Sequence, residues 1–201
     1  MAGRPASPRA RTSRAARETA VLDTAARLFY ERGVHEVGMD ELVRETGVGK
    51  ATVYRLFPTK DALIAAYLGR LSSQILAGID EEVAAHPGDP CGALDAVLDA
   101  IAGDLRRPGF RGCAFNNASI EFDDPEHPAR AAARAHRAAL HDRLVALATA
   151  ARRRRGRQLG AQLATLIDGA YTSAAHLGPD GPARAGLALA HRLVDDARDG
   201  A

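Results

Sequence analysis

Tryptophan is absent from this chain of 201 residues, and the aromatic residues together reach only 4%. Leucine, alanine and valine dominate instead, a composition that suits an all-helical protein with enough apolar material for one large or two small domains. Cysteine is almost absent as well, Cys91 and Cys113 being the two. They form neither a disulfide framework nor a metal-ligand pattern, so a reducing cytoplasm is the expected compartment. No metal site and no cofactor is implied. Apolar runs are short, and none is expected to approach the roughly 18 residues of a membrane span. The arginine-rich N-terminus lacks the apolar segment of a signal peptide, so export is not expected. Lysine is the last scarcity: of 27 basic residues only Lys50 and Lys60 are lysines, against the Arg, Ala and Gly bias of a GC-rich genome. No internal repeat is visible.

What charge there is lies unevenly. Residues 1–60 hold 11 Lys or Arg against 7 Asp or Glu, and the remainder holds 16 against 18. A net charge of +2 thus conceals a basic first third, as a nucleic-acid partner requires. Residues 1–12 mix Pro, Gly, Ala and Arg without periodicity and are expected to be a disordered arm. Arg4, Arg9, Arg11, Arg14 and Arg17 meet no acid before Glu18, so the arm is either phosphate-tracking or a solvated tail.

Residues 38–60 carry the strongest local pattern. Met39, Leu42 and Val43 fall at i, i+3 and i+4, which predicts a short helix over residues 40–45. Gly47 ends it in the left-handed conformation that glycine adopts without a Cβ penalty. Val48 turns inward, and a second helix runs over residues 50–56 until Pro58 forbids its continuation. Two helices about a short glycine-containing turn form a helix-turn-helix, whose second helix enters the major groove of DNA. Val53 and Phe57, four apart, pin that helix to a core, leaving Lys50, Thr52, Tyr54 and Arg55 as donors for phosphates and base edges. A helical hairpin with a merely solvated face is the rival reading. A phosphate-binding P-loop at Gly49-Lys50 fails on spacing, because Arg44 stands where glycine is needed and Ala51 where Ser or Thr is needed.

Residues 17–63 resemble the DNA-binding domain of the tetracycline-repressor (TetR) family of bacterial transcription regulators. The resemblance runs from Arg17 through Ala25-Ala26-Arg27-Leu28-Phe29 and Gly33 to Gly47-Val48-Gly49-Lys50. It continues in Thr52-Val53-Tyr54 and Phe57-Pro58-Thr59-Lys60-Asp61-Ala62-Leu63. Gly38 departs from the Ser or Thr usual at that cap, and Leu56 from a common His or Tyr, which removes one DNA contact. The resemblance implies that Gly49, Lys50, Ala51, Thr52, Tyr54, Arg55 and Lys60 lie at the DNA. By donor type, Thr52, Tyr54 and Lys60 hold the backbone, while Lys50, Ala51 and Arg55 meet base edges, with Arg55 able to grip guanine through two bonds.

The fold expected is therefore all-α: an arm (1–12), a three-helix DNA-binding domain (13–60), and a helical effector-binding and dimerisation domain (61–201). Ser13 caps the first helix, which Gly33 closes near residue 32. One long helix from Lys60 to about residue 86 joins the two domains. Further helices are expected over 90–107, within 111–122, over 128–155 with Arg152–Arg155 at its C-terminus, over 157–176 and over 182–198. The resemblance implies that the last two pack with their symmetry mates as a homodimer, which reads a palindromic double-stranded operator.

Effector residues are sought where unusual side chains gather. Phe110, Cys113, Phe115 and Phe122 alternate with Asn116, Asn117 and Glu121, giving the apolar walls and few polar groups of a small-molecule pocket. Tyr67, His136 and Tyr171 are placed to face the same space; a packed core with capping asparagines is the alternative. Cys113 near Arg111 is either a reactive thiolate or a buried structural thiol. His136 and His141, five apart, occupy different helix faces and do not pair for a metal. An enzyme would need Cys113 as nucleophile and His136 as base, and nothing in the sequence orders such a pair. The reading favoured is a repressor released from DNA by a small molecule; a sensing or interaction module that does not read DNA is the alternative.

Overall fold

The computed structural model of the chain describes residues 13–152 and 154–199; these form nine helices and no strand. The N-terminal arm and Arg153 of the arginine run lie outside the described residues. Helix α1 (Arg14–Arg32) starts on Ser13, whose Oγ accepts from the Ala16 amide at 3.1 Å, and stops at Gly33 with φ 93°. Its stripe of Val21, Leu22, Ala25, Leu28 and Phe29 is buried, as the spacing predicts. Helices α2 (Met39–Thr46) and α3 (Lys50–Leu56) flank Gly47, which takes the left-handed conformation at φ 64°. Helix α4 (Lys60–Ala85) is capped by the Thr59 hydroxyl, and α5 (Pro90–Leu105) by the Asp89 carboxylate. Then follow α6 (Ala114–Ile120), α7 (Pro128–Ala151), α8 (Gly156–Leu177) and α9 (Pro182–Asp199).

Helix α7 ends at Ala151, before the expected 155, so Arg152, Arg154 and Arg155 lie outside its last turn, ahead of α8. Glycine explains the early stop. A Cβ on Gly156 would sit 2.3 Å from Thr149 Cα, and one on Gly160 would sit 2.6 Å from Val145 Cα. The chain doubles back so closely there that only hydrogen fits between the two backbones.

Two apolar cores result. One joins α1, α2 and α3 to Leu63, Ile64, Tyr67 and Leu68 of α4, and is completed by Phe115 and Ala118 of α6 and Ala129 and Ala133 of α7. The other lies among α5, α7, α8 and α9, with Ile79 of α4. Helix α4 therefore belongs to both.

One expectation about α4 needs correction. An 18-residue window of this helix averages 1.3 in hydropathy, long and apolar enough by composition to cross a membrane. The apolar run lengths hid this because Gly69, Arg70, Ser72, Ser73 and Gln74 interrupt them. In the fold α4 is a packing helix, set against α1, α5 and α7.

Candidate functional site

The helix-turn-helix is held from behind and open in front. Val53 and Phe57 are buried, at 0% and 5% exposure, and each such side chain is worth about 1.5–3 kcal/mol relative to exposure. Their burial turns Lys50, Ala51, Tyr54 and Arg55 outward, with Gly49 exposed at the helix start and Thr52 half-buried. Lys50 Nζ donates to Asp40 Oδ1 at 2.7 Å and lies 5.9 Å from the Tyr54 ring centroid. That hydrogen bond holds the Lys50 pKa above its ordinary value. Asp40 is exposed on α2 beside α3, and its pairing with a residue ten positions later exists only once the turn has formed, so the sequence carried no sign of it.

Lys60 stands differently from its neighbours. It is half-buried, and its ammonium donates to the His35 carbonyl at 3.2 Å. Burial lowers its pKa, partly offset by Glu121 and Asp61.

Glu121 leads to the junction between the two halves of the chain. Its carboxylate accepts the Val34 amide at 3.0 Å and the His35 amide at 2.8 Å, and it lies 2.9 Å from His35 Nδ1. Burial pushes this carboxyl up, but the two amides and the imidazole outweigh it and hold its pKa below the usual value. Phe122 stacks on His127 at 3.5 Å between centroids and lies 4.9 Å from His35. At the other end of α6, Tyr30 Oη donates to the Gly112 carbonyl at 3.0 Å and accepts the Arg111 amide at 2.7 Å. The seven-residue α6 is thus tied at both ends to the first helices.

Behind α6 lies a cavity of about 650 Å³, within the range of small-molecule sites. Of the nine residues expected there, Tyr67, Cys113, Phe115, His136 and Tyr171 line it. Phe110, Asn116, Asn117 and Glu121 do not, and each has a physical reason. Phe110 packs on Tyr171 from outside, 5.8 Å between centroids. Asn116 Oδ1 accepts from Arg137 at 2.7 Å. The Asn117 amide donates to the Arg111 carbonyl at 2.8 Å, bracing the turn before α6. Glu121 holds the α1–α2 turn. Its apolar walls come from Leu71, Ile75 and Ile79 of α4, Val97 and Ile101 of α5, Leu140 of α7 and Ile167 of α8.

Charges line the cavity too: Arg27, Glu31, Glu81 and Glu82 from α1 and α4, and two arginine–carboxylate pairs deeper in the chain. Arg137 is bonded to Asp168, and Arg107 Nε donates to Asp104 Oδ1 at 2.7 Å while its guanidinium lies 4.4 Å from the Tyr30 ring centroid. Tyr171 donates to Asp104 Oδ2 at 2.8 Å; burial, then that carboxylate, pushes its pKa up. The sequence held a signal for these residues: Asp104 and Asp168 interrupt the apolar stripes of α5 and α8.

His136, 6% exposed, lies 3.0 Å through Nδ1 from Ser72 Oγ and stacks on Phe115 at 3.7 Å. Burial, then Arg137, lowers its pKa to about 4, so it is a neutral imidazole at pH 7. Burial pushes the Cys113 thiol up, against the pull of the Asn116 and Phe115 amides. The reactive thiolate considered from Arg111 is therefore not what the cavity favours, and among the described residues His136 makes no hydrogen bond to Cys113.

Comparison with known proteins agrees with this anatomy. The profile of bacterial regulatory proteins of the tetR family matches residues 21–67, and that of the tetracyclin repressor-like C-terminal domain matches residues 90–184. A TetR-family transcriptional regulator from Streptomyces coelicolor is 35% identical, with a TM-score of 0.83 over 90% of this chain and 96% of its own. Reduced NemR of E. coli shares the fold at 20% identity, with a TM-score of 0.78 over 88% of this chain and 97% of its own. The transcriptional regulator EthR of Mycolicibacterium smegmatis is 34% identical over 85 residues, 42% of this chain and 39% of that regulator. The match to this curated relative thus spans about two fifths of its length. The chain belongs to the TetR family of bacterial DNA-binding transcriptional regulators.

Proposed function

We propose that the protein is a dimeric, cytoplasmic repressor that leaves a palindromic operator when a small molecule fills the cavity behind α6. Residues 13–60 act as the DNA-binding domain and residues 61–201 as the effector and dimerisation domain. The observation that carries the proposal is the double attachment of α6. Cys113 and Phe115 near its start line the cavity, while Glu121 after its end grips the turn between α1 and α2. A ligand that prefers a displaced α6 therefore alters the tilt of the helix-turn-helix, and it does so only by its difference in affinity for the two tilts. Two reading helices on a dimer must meet half-sites about 34–36 Å apart or a multiple of that, so a small tilt breaks register.

In this reading Lys50, Ala51 and Arg55 meet base edges from Gly49 onward, Thr52 and Tyr54 hold phosphates, and Lys60 moves from the His35 carbonyl to a phosphate. Dimerisation uses the outward faces of α8 and α9, where Leu177 and Leu189 are exposed at 67% and 39% among alanines. A cofactor has no part in it.

The test is binding to a fragment of the gene's own upstream region, followed by fluorescence anisotropy over a range of salt. Tight, salt-dependent binding by wild type and relaxed base preference at one position per half-site for Arg55→Ala are expected, with a cost of roughly 1–3 kcal/mol against the best base. Salt-independent binding, or an unchanged motif selected from random DNA by Arg55→Ala, would refute the assignment. Sedimentation as a monomer at micromolar concentration would refute the register mechanism.

A further inference from the structure

We infer that the ligand taken by this cavity is an organic cation, an apolar body carrying an ammonium or guanidinium group. The inference rests on the proposal that the cavity is the effector site and specifies what that site accepts. The argument is a charge balance over the lining, in which the carboxylates outnumber the arginines Arg27, Arg107 and Arg137. Every arginine is already matched. Arg137 bonds Asp168, with Asn116 as a further acceptor, and Arg107 bonds Asp104. Arg27 stands between Glu31 at 3.5 Å and Glu45 at 3.4 Å. Two carboxylates of the lining remain, Glu81 and Glu82 near the C-terminal end of α4. Among the described residues Glu81 makes no ion pair, and Glu82 has only His86 Nδ1, at 4.0 Å. That nitrogen already lies 2.8 Å from the Glu82 carbonyl. An anion in the cavity therefore meets a surplus of its own sign, and a cation meets the charge it needs.

The surplus lies where an amphiphilic molecule can use it. Ile75, Gly78, Ile79 and Glu82 fall at i, i+3, i+4 and i+7 on α4, and all four line the cavity. The apolar wall thus runs directly into a carboxylate. Ile75 and Glu81 are exposed and Glu82 is half-buried, so this end of the cavity meets water. A cationic group held there keeps part of its hydration while its apolar body is enclosed by Leu71, Ile79, Ile101 and Leu140. That arrangement avoids the cost of burying an ion outright. Uncompensated carboxylates at the opening also raise the local concentration of cations.

A matched series of fluorescent probes tests this: pyrenemethanol, pyrenecarboxylate and pyrenemethylammonium share one apolar body and differ in charge. In titrations of the full-length protein at neutral pH and low salt, the ammonium should bind about fivefold more tightly than the alcohol, each partly exposed ion pair contributing modestly. The carboxylate should bind most weakly. Raising salt from about 20 to about 500 mM should cut the ammonium's advantage to under about twofold. Glu81→Gln/Glu82→Gln should bring the ratio of ammonium to alcohol affinity close to unity, and Glu81→Lys/Glu82→Lys should favour the carboxylate. Asp142→Asn is the control. It removes a negative charge from an exposed position of α7 outside the lining and should leave that ratio as in wild type. Ala100→Trp, which adds an indole to the lining from an exposed position of α5, should weaken all three probes.

Alcohol or carboxylate binding as tightly as the ammonium at low salt overturns the inference. So does an ammonium preference that survives Glu81→Gln/Glu82→Gln, or one that Asp142→Asn removes equally. Ammonium binding untouched by Ala100→Trp places the probe outside the cavity and overturns it as well. Ammonium binding with the expected charge dependence, but without effect on operator affinity, leaves the inference standing and defeats the effector role instead.

Discussion

Replacing Glu121 by alanine removes one carboxylate and leaves three partners behind. The His35 amide and ring are exposed and turn to water at little cost. The Val34 amide lies in a part-buried spot beside a side chain that is only 1% exposed, and water does not reach it as freely. A stranded buried donor costs about 1–3 kcal/mol, so the α1–α2 turn should lose about 2 kcal/mol of local stability. At 1.4 kcal/mol per factor of ten, that corresponds to roughly 30-fold faster hydrogen exchange at Val34. Amide exchange followed by NMR measures it directly, and Glu121→Gln, which keeps an acceptor oxygen, should fall between.

The pH dependence has a definite sign. A carboxyl whose folded pKa is depressed stabilises above its unfolded value of about 4.3, and that contribution disappears as pH falls through the folded pKa. Wild-type Val34 protection should therefore weaken on acidification below about pH 4, and Glu121→Ala should lack that step. The relay from cavity to DNA is testable in the same background through a double-mutant cycle with Gly78→Trp, which puts a bulky side chain at a residue of α4 on the cavity lining. If Glu121 transmits occupancy, the effect of Gly78→Trp on operator affinity should largely vanish in Glu121→Ala, a coupling of about 1–3 kcal/mol. Unchanged exchange at Val34, or strictly additive effects on operator binding, would refute the reasoning.

Gly160→Ala should destabilise by about 2 kcal/mol or more and lower Tm by roughly 4–8 °C, because the new Cβ meets the Val145 backbone; an unchanged Tm in calorimetry would contradict the close approach of α7 and α8. His136 has a folded pKa of about 4 against 6.5, so the unfolded chain binds the extra proton first and stability falls as pH drops from 6.5 toward 4. Denaturation at pH 7 and pH 4.5 should show His136→Gln losing less stability over that interval than wild type. Lys60→Ala should weaken operator and random DNA by similar factors and make the salt slope shallower by about one unit. A loss confined to operator DNA would show instead that Lys60 reads sequence.

Much of the chain was legible because its signals are local. Ser13, Asp89 and Pro90 set helix starts, and Gly33 and Gly47 set helix ends, each through hydrogen bonds or backbone angles within four residues of itself. The period of Val53 and Phe57 likewise determines which face of α3 is left exposed, whatever the rest of the molecule does. The cavity has no such local origin. Tyr30, Tyr67, Asp104, His136 and Tyr171 come from five helices, and periodicity shows that a residue faces inward without showing whether it meets a neighbour or a gap. Hence Tyr67, His136 and Tyr171 line the cavity, while Asn116, Asn117 and Glu121, expected there for their chemistry, bond backbone and arginine beside it. The pairing of Arg137 with Asp168 and of Glu121 with Val34 spans 31 and 87 residues. Only the packing of α7 on α8 and of α6 beneath α1 brings those groups together, and that packing decides which charges the cavity leaves free.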